Sequence, residues 1–168
     1  MSQPAASVIE ASDDAQQYLT FRVGQELYAM TTDCVREIIE YAQVTPVPMM
    51  PTLLRGVINL RGAVVPVVDL GERFGSGQTA LGSRSCIVIV ELGDTEQPQL
   101  LGALVDSVSA VRHIEEGALR PAPTFGHALR TDFVQGMVRV EDGFLTLLQI
   151  EQVLSICELA ALAGQRHA

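Results

Sequence analysis

The sequence predicts a mainly β protein: two pseudo-symmetric small β-barrels packed together, with a short helix in the first half and another at the C-terminus. Three observations predict it. From Tyr18, apolar and polar residues alternate at the two-residue period of a half-buried strand, and apolar runs of strand length follow it. Turn residues such as Gly24-Gln25 and Arg61-Gly62 separate those runs at hairpin spacing. Finally, Leu53 to Leu70 aligns without a gap on Phe133 to Ile150 at an offset of 80 residues, the distance from Gly56 to Gly136. Each half therefore carries the same strand, turn, strand unit, and each begins with a hairpin. Closing such sheets hides strand edges, and roughly 80 residues per barrel is marginal alone, so the two are expected to bury apolar surface between them.

In chain order, residues 1–16 are rich in Ser, Ala, Gln and Asp without periodicity and read as a flexible tail. Leu19, Phe21 and Val23 alternate with Thr20 and Arg22, and the Gly24-Gln25 turn leads into Leu27 to Met30. Thr31 and Thr32 can cap a short helix in which Val35, Ile38 and Ile39 share a face, although Ile38 to Tyr41 also suits a strand. Pro46, Pro48 and Pro51 stiffen the next connection. Leu53 to Leu60 and Ala63 to Asp69 form a hairpin, with Pro66 placing the second strand at an edge or bulge. Cys86 to Glu91 and Gln99 to Val105 read as another strand pair. Ile150, Val153, Leu154 and Cys157 lie on one helical face. The boundaries are a first barrel at about 17–80, a second at about 81–150, and a C-terminal helix at about 150–163.

Chemistry is sparse. A net charge of -9 argues against a grip on nucleic acid or attraction to anionic lipid. The first residues lack a basic segment followed by an apolar one, which predicts a cytoplasmic protein. Cys34, Cys86 and Cys157 are odd in number and widely spaced, as reduced thiols would be. Gly75-Ser76-Gly77-Gln78-Thr79 lacks the lysine of a phosphate-cradling loop. His113, His127 and His167 are too far apart to read as a metal site. Asp69 and Asp106 are single carboxylates at strand ends, where capping is commoner than acid-base work. No nucleophile signature is present, so neither catalysis nor a cofactor is expected. Arg61 should project from its turn, either to fork onto a carboxylate or carbonyls, or as a plain solvated tip. Nothing local decides whether Val108 and Val111 are core or surface, core packing being the commoner role.

The runs Val35-Arg36-Glu37-Ile38, Gly56-Val57-Ile58-Asn59-Leu60-Arg61-Gly62 and Val65-Pro66-Val67-Val68-Asp69-Leu70 resemble the CheW family of bacterial chemotaxis coupling proteins. Leu104-Val105-Asp106-Ser107-Val108 and Arg120-Pro121-Ala122-Pro123 are similar too, and the resemblance spans about Gln17 to Leu159. It implies two SH3-like barrels of about five strands each. It also implies a non-catalytic adaptor joining the cytoplasmic tip of methyl-accepting chemotaxis receptors to the regulatory domain of the histidine kinase CheA, and reaching the membrane only through receptor arrays. By position, the resemblance assigns Val35, Arg61, Val108 and Val111 to receptor binding, and Glu37, Gly56, Arg120 and Phe125 to kinase binding. For Gly56 a purely structural role, shared with Gly136, has equal weight. Two alternatives remain open: the same adaptor serving surface motility or gene regulation, and a small-ligand-binding barrel pair.

Overall fold

The computed structural model describes residues 15–41, 44–51, 53–75, 77–93, 96, 98–121, 131–141 and 143–155. Strands β1 (Ala15–Val23) and β2 (Glu26–Thr31) form the first hairpin, with Tyr18 opposite Thr31 and Val23 opposite Glu26. β1 thus takes in the last two residues of the expected tail, and the rest of that tail lies outside the described residues.

The expected first-half helix is corrected. Thr32–Cys34 is a single 3-10 turn, and Val35–Glu40 is strand β3, paired antiparallel with β6. Thr31 makes no capping bond, so nothing satisfies the first amides of a longer helix. The β-branched residues Val35, Ile38 and Ile39 instead fit a strand whose burial alternates residue by residue.

β4 (Leu54–Leu60) and β5 (Ala63–Asp69) flank the Arg61-Gly62 turn, where both residues have positive φ, 51° and 90°. That is the hairpin turn whose twist matches its strands. β5 is an inner strand, yet Pro66 costs it no bond. The Val57 amide and carbonyl both bond Thr45 (2.9 Å each), so Val57 asks nothing of Pro66 opposite, and β5 meets β7 only from Val67. Helix α1 (Leu70–Arg73) follows, capped by Asp69. β6 (Cys86–Leu92), β7 (Gln99–Val105), β8 (Ser107–Glu115), β9 (Val134–Val140), β10 (Gly143–Leu148) and helix α2 (Ile150–Val153), with 3-10 turns at Glu116–Ala118 and Thr131–Phe133, complete the described elements. Ile150, Val153 and Leu154 are buried as the helical face requires, while residues 156–163 of the expected helix lie outside the described residues.

The strands form two five-stranded sheets, β8-β1-β2-β10-β9 and β3-β6-β7-β5-β4. The 80-residue repeat is a structural one. β4 and β9 match end for end, α1 matches α2, and the isolated bridge of Thr45 with Val57 is repeated by Arg120 with Met137. The expected boundary near residue 80 does not separate the sheets, however. The chain starts one sheet with β1 and β2, builds the whole of the other from β3 to β7, and returns with β8 to β10. In each, a strand of the repeated hairpin joins in parallel the second strand of a different hairpin: β10 lies on β2, and β5 on β7.

Alternation along the strands divides the core in three. Leu19, Phe21, Val88 and Val90 face a large cluster shared by both sheets. Ile87 and Ile89 face a cluster private to the β3–β7 sheet, and Tyr18 one private to the other. Each private cluster draws on strands from opposite ends of its sheet, Ile114 of β8 meeting Val138 of β9, so each sheet curls around its own core.

Candidate adaptor surface

Arg61 and Glu37 come together. From the β4-β5 turn, Arg61 Nη1 donates to Glu37 Oε2 (2.6 Å) and Nη2 to Oε1 (2.9 Å). β3 and β4 stand at the two ends of their sheet, so this fork closes the seam of the curled sheet. The Arg61 side chain is still 72% exposed. The hydrogen bonds from Arg61, then its charge and that of Arg36, hold the Glu37 carboxyl below its ordinary pKa, and Glu37 in turn raises that of Arg61. A depressed folded-state pKa means the pair is intact above the ordinary carboxylate range and is lost only as pH falls through the lowered value. A carbon-detected NMR titration should find Glu37 protonating below the ordinary glutamate value in the wild type, and rising toward that value in Arg61→Ala.

The ladder of β3 with β6 is irregular between Val35 and Glu37, and Arg36 there pairs with Glu91 of β6. Val35 is half-buried against the shared core, as is Val108. The spacing of Val108 and Val111, ambiguous in the sequence, has a definite cause. Along β1, Val108 opposes Phe21 and Val111 opposes Leu19, so three steps on β8 answer two on β1 across a bulge. Thr20 holds the bulge, its hydroxyl donating to the Ala110 carbonyl (2.9 Å) and accepting from the Ala110 amide (3.0 Å). Both valines therefore share the face that Phe21 and Leu19 turn toward the other sheet. Val108 touches the core, and Val111, against the commoner expectation, is 50% exposed at its rim.

Gly56 is buried with φ 143°, and a Cβ there would stand 2.1 Å from the Thr45 carbonyl oxygen. Any side chain there would be strained and would clash, so the backbone itself calls for glycine. Arg120 sits at the related place in the other sheet, exchanging backbone bonds with Met137 (2.8 Å each). Its guanidinium donates to the carbonyls of Gly117 (3.1 Å) and Leu119 (3.2 Å). With Pro121, Met137 and Phe144, Arg120 lines a hollow of about 520 Å³. Phe125 lies outside the described residues.

Exposed apolar side chains extend beyond the residues the sequence singled out. Ile38 lies next to Glu37 and is 41% exposed, while Val64 of β5 and its repeat mate Phe144 of β10 are 68% and 59% exposed. Strand alternation carried the signal for both mates, since Val65 and Leu145 beside them are fully buried.

Elsewhere, polar groups serve the fold. Asp69 takes hydrogen bonds from the amides of Gly71 (2.9 Å) and Thr79 (3.0 Å) and from the Thr79 hydroxyl (2.6 Å), so a carboxylate occupies the loop that superficially resembled a phosphate cradle. Asp106 accepts from the Gly24 amide (2.5 Å), a turn role as expected. Burial raises the thiol pKa of Cys34 and Cys86, which makes them poor nucleophiles. Among the described residues no three His, Cys, Asp or Glu side chains are grouped to hold a metal ion, and no helix is long and apolar enough to cross a membrane.

The model of the CheW-like domain family matches residues 17–158. The chain belongs to the CheW-like domain family. Chemotaxis protein CheW of Klebsiella aerogenes is 33% identical over 145 residues, covering 86% of this chain and 85% of that protein. Chemotaxis protein CheW of Treponema pallidum is 29% identical and covers 91% and 90%. The solved structure of scaffolding protein TtCheW from Thermoanaerobacter tengcongensis matches with a TM-score of 0.74 at 31% identity, over 84% of this chain and 89% of that one. Membership in this CheW-like family makes the chain a chemotaxis adaptor of the scaffolding kind, with no reaction of its own.

Proposed function

We propose that this chain bridges the cytoplasmic tip of methyl-accepting chemotaxis receptors and the regulatory domain of the kinase CheA, working in the cytoplasm within receptor arrays. One observation carries the reading: Arg61, exposed in the β4-β5 turn, is held in a fork by Glu37 at a barrel seam, and Val35, two residues before Glu37 on β3, edges the apolar junction of the two barrels. A receptor helix laid along that junction gains area from Val35, Val108 and Val111 and orientation from Arg61. The kinase meets barrel ends, through Glu37 beside the seam and through the hollow at Arg120, with Phe125 completing that second contact. Gly56 contributes by holding β4 in shape for both.

Calorimetric titration with a receptor cytoplasmic fragment tests the assignment. Arg61→Ala should weaken binding about tenfold, as loss of a charged interface anchor does, while moving the melting temperature by only a few degrees. Arg61→Lys should recover little, because an ammonium cannot fork onto a carboxylate. Equal losses of stability and binding would contradict the assignment. Kinase affinity should fall with added salt, and less steeply in Glu37→Gln and Arg120→Ala, since exposed interface charges are screened.

A further inference from the structure

We propose that Arg73 is a latch that helps set the angle between the two barrels, and so acts as a positioning residue for the apolar junction between them. Its role in binding rests on the receptor reading above; its role in the fold does not.

Arg73 ends α1, which follows β5 in the β3–β7 barrel. Its Nε donates to the Val153 carbonyl (2.6 Å) and its Nη2 to the Gln152 carbonyl (3.3 Å), and the guanidinium carbon lies 4.8 Å from the centre of the Phe133 ring. Those three partners belong to the other barrel. Gln152 and Val153 end α2, and the amide of Gln149 at its start bonds the Phe133 carbonyl (2.7 Å), immediately before β9. A single side chain therefore reaches from one barrel to the backbone and aromatic face of its neighbour.

The chemistry suits the place. The carbonyls that end α2 are polar acceptors, that of Gln152 also taking the Ser155 amide (3.4 Å), and a guanidinium can donate to them while stacking on an aromatic ring. Apolar contact in the shared core is non-directional atom by atom, and a planar fork onto two carbonyls adds a directional constraint to it. Residue 153 is also the 80-residue mate of residue 73, so the contact lies where the two repeats face each other. That mate is a valine, which has no donor, so the latch is one-sided. Val35 and Val108 stand on different barrels across this junction, and their separation depends on the angle the latch holds.

Residual dipolar couplings of backbone amides, measured on the full chain, test the proposal directly. In the wild type, strands of both barrels should fit one alignment tensor. In Arg73→Ala each barrel should fit a tensor of its own, with the two differing in orientation or magnitude, while Arg73→Lys, which keeps the charge but cannot fork, falls between. One common tensor with the wild-type relative orientation in Arg73→Ala would overturn the proposal; if that variant does not fold, the same comparison is decided on Arg73→Lys. In parallel, receptor-fragment affinity should fall on the order of tenfold in Arg73→Ala while kinase affinity, which needs barrel ends, stays within about twofold. Equal weakening of both partners would also overturn it. A wild type that binds no receptor fragment would refute the receptor reading alone, and the couplings would still judge the latch.

Discussion

Asp69→Asn is expected to destabilise the protein by about 3–5 kcal/mol, the cost of removing one partner from a buried, hydrogen-bonded ion pair. Asp69 is fully buried and joined to the Arg55 Nε (2.9 Å), whose side chain is 17% exposed. Arg55 also donates to the Thr79 carbonyl (2.7 Å), and the carboxylate caps α1 through the Gly71 and Glu72 amides. One side chain thus fastens a helix, a loop and β4. The asparagine amide would point a donor at atoms that are themselves donors and leave Arg55 without its counter-charge. Denaturant unfolding should show a lower midpoint with an unchanged slope. The repeat supplies an internal control: Gln149, the mate of Asp69, makes no side-chain cap bond, so Gln149→Ala should cost under about 1 kcal/mol. Similar costs at the two positions would show that the hub does not act as described.

Gly56→Ala is the second large effect, expected at about 3 kcal/mol or more. Two causes add: φ of 143° suits glycine alone, and the new methyl would stand 2.1 Å from a backbone oxygen that cannot move without breaking the Thr45–Val57 bridge. Its mate Gly136 has 3.2 Å to the Arg120 carbonyl oxygen, so Gly136→Ala should cost about 1 kcal/mol, which thermal unfolding of the two variants will separate. A coupling defect at Gly56 should accordingly come with loss of fold, whereas one at Arg61 should not.

Much of the fold was legible because strand alternation and hairpin turns are local signals. The Leu53–Leu60 run, the Arg61-Gly62 turn and the capping role of Asp69 stand where the sequence puts them. The repeat at 80 residues even matched elements end for end. What local signals could not show was partnership. Nothing near Tyr18 or Leu27 announces that β1 and β2 pair with strands more than 80 residues away, so the division into barrels was drawn along the chain instead of across it. The first-half helix failed for a related reason. Val35, Ile38 and Ile39 satisfy a helical face and a strand alike, and pairing with β6 decided between them. At the surface, Arg61 was legible as a projecting side chain, but its partner Glu37 was not, because sheet curling brings the two together. The bulge at Thr20 and Ala110 likewise makes sense of Val108 and Val111 only once the register is known.

The most direct test of the bridging role is co-sedimentation of CheA with membranes carrying receptor, with and without this chain, while kinase autophosphorylation is recorded. An adaptor should carry kinase into the pellet and raise its activity, and Arg61→Ala should do neither at the same concentration. Kinase that pellets equally with and without the wild-type chain, or a chain that pellets with neither partner, would contradict the account.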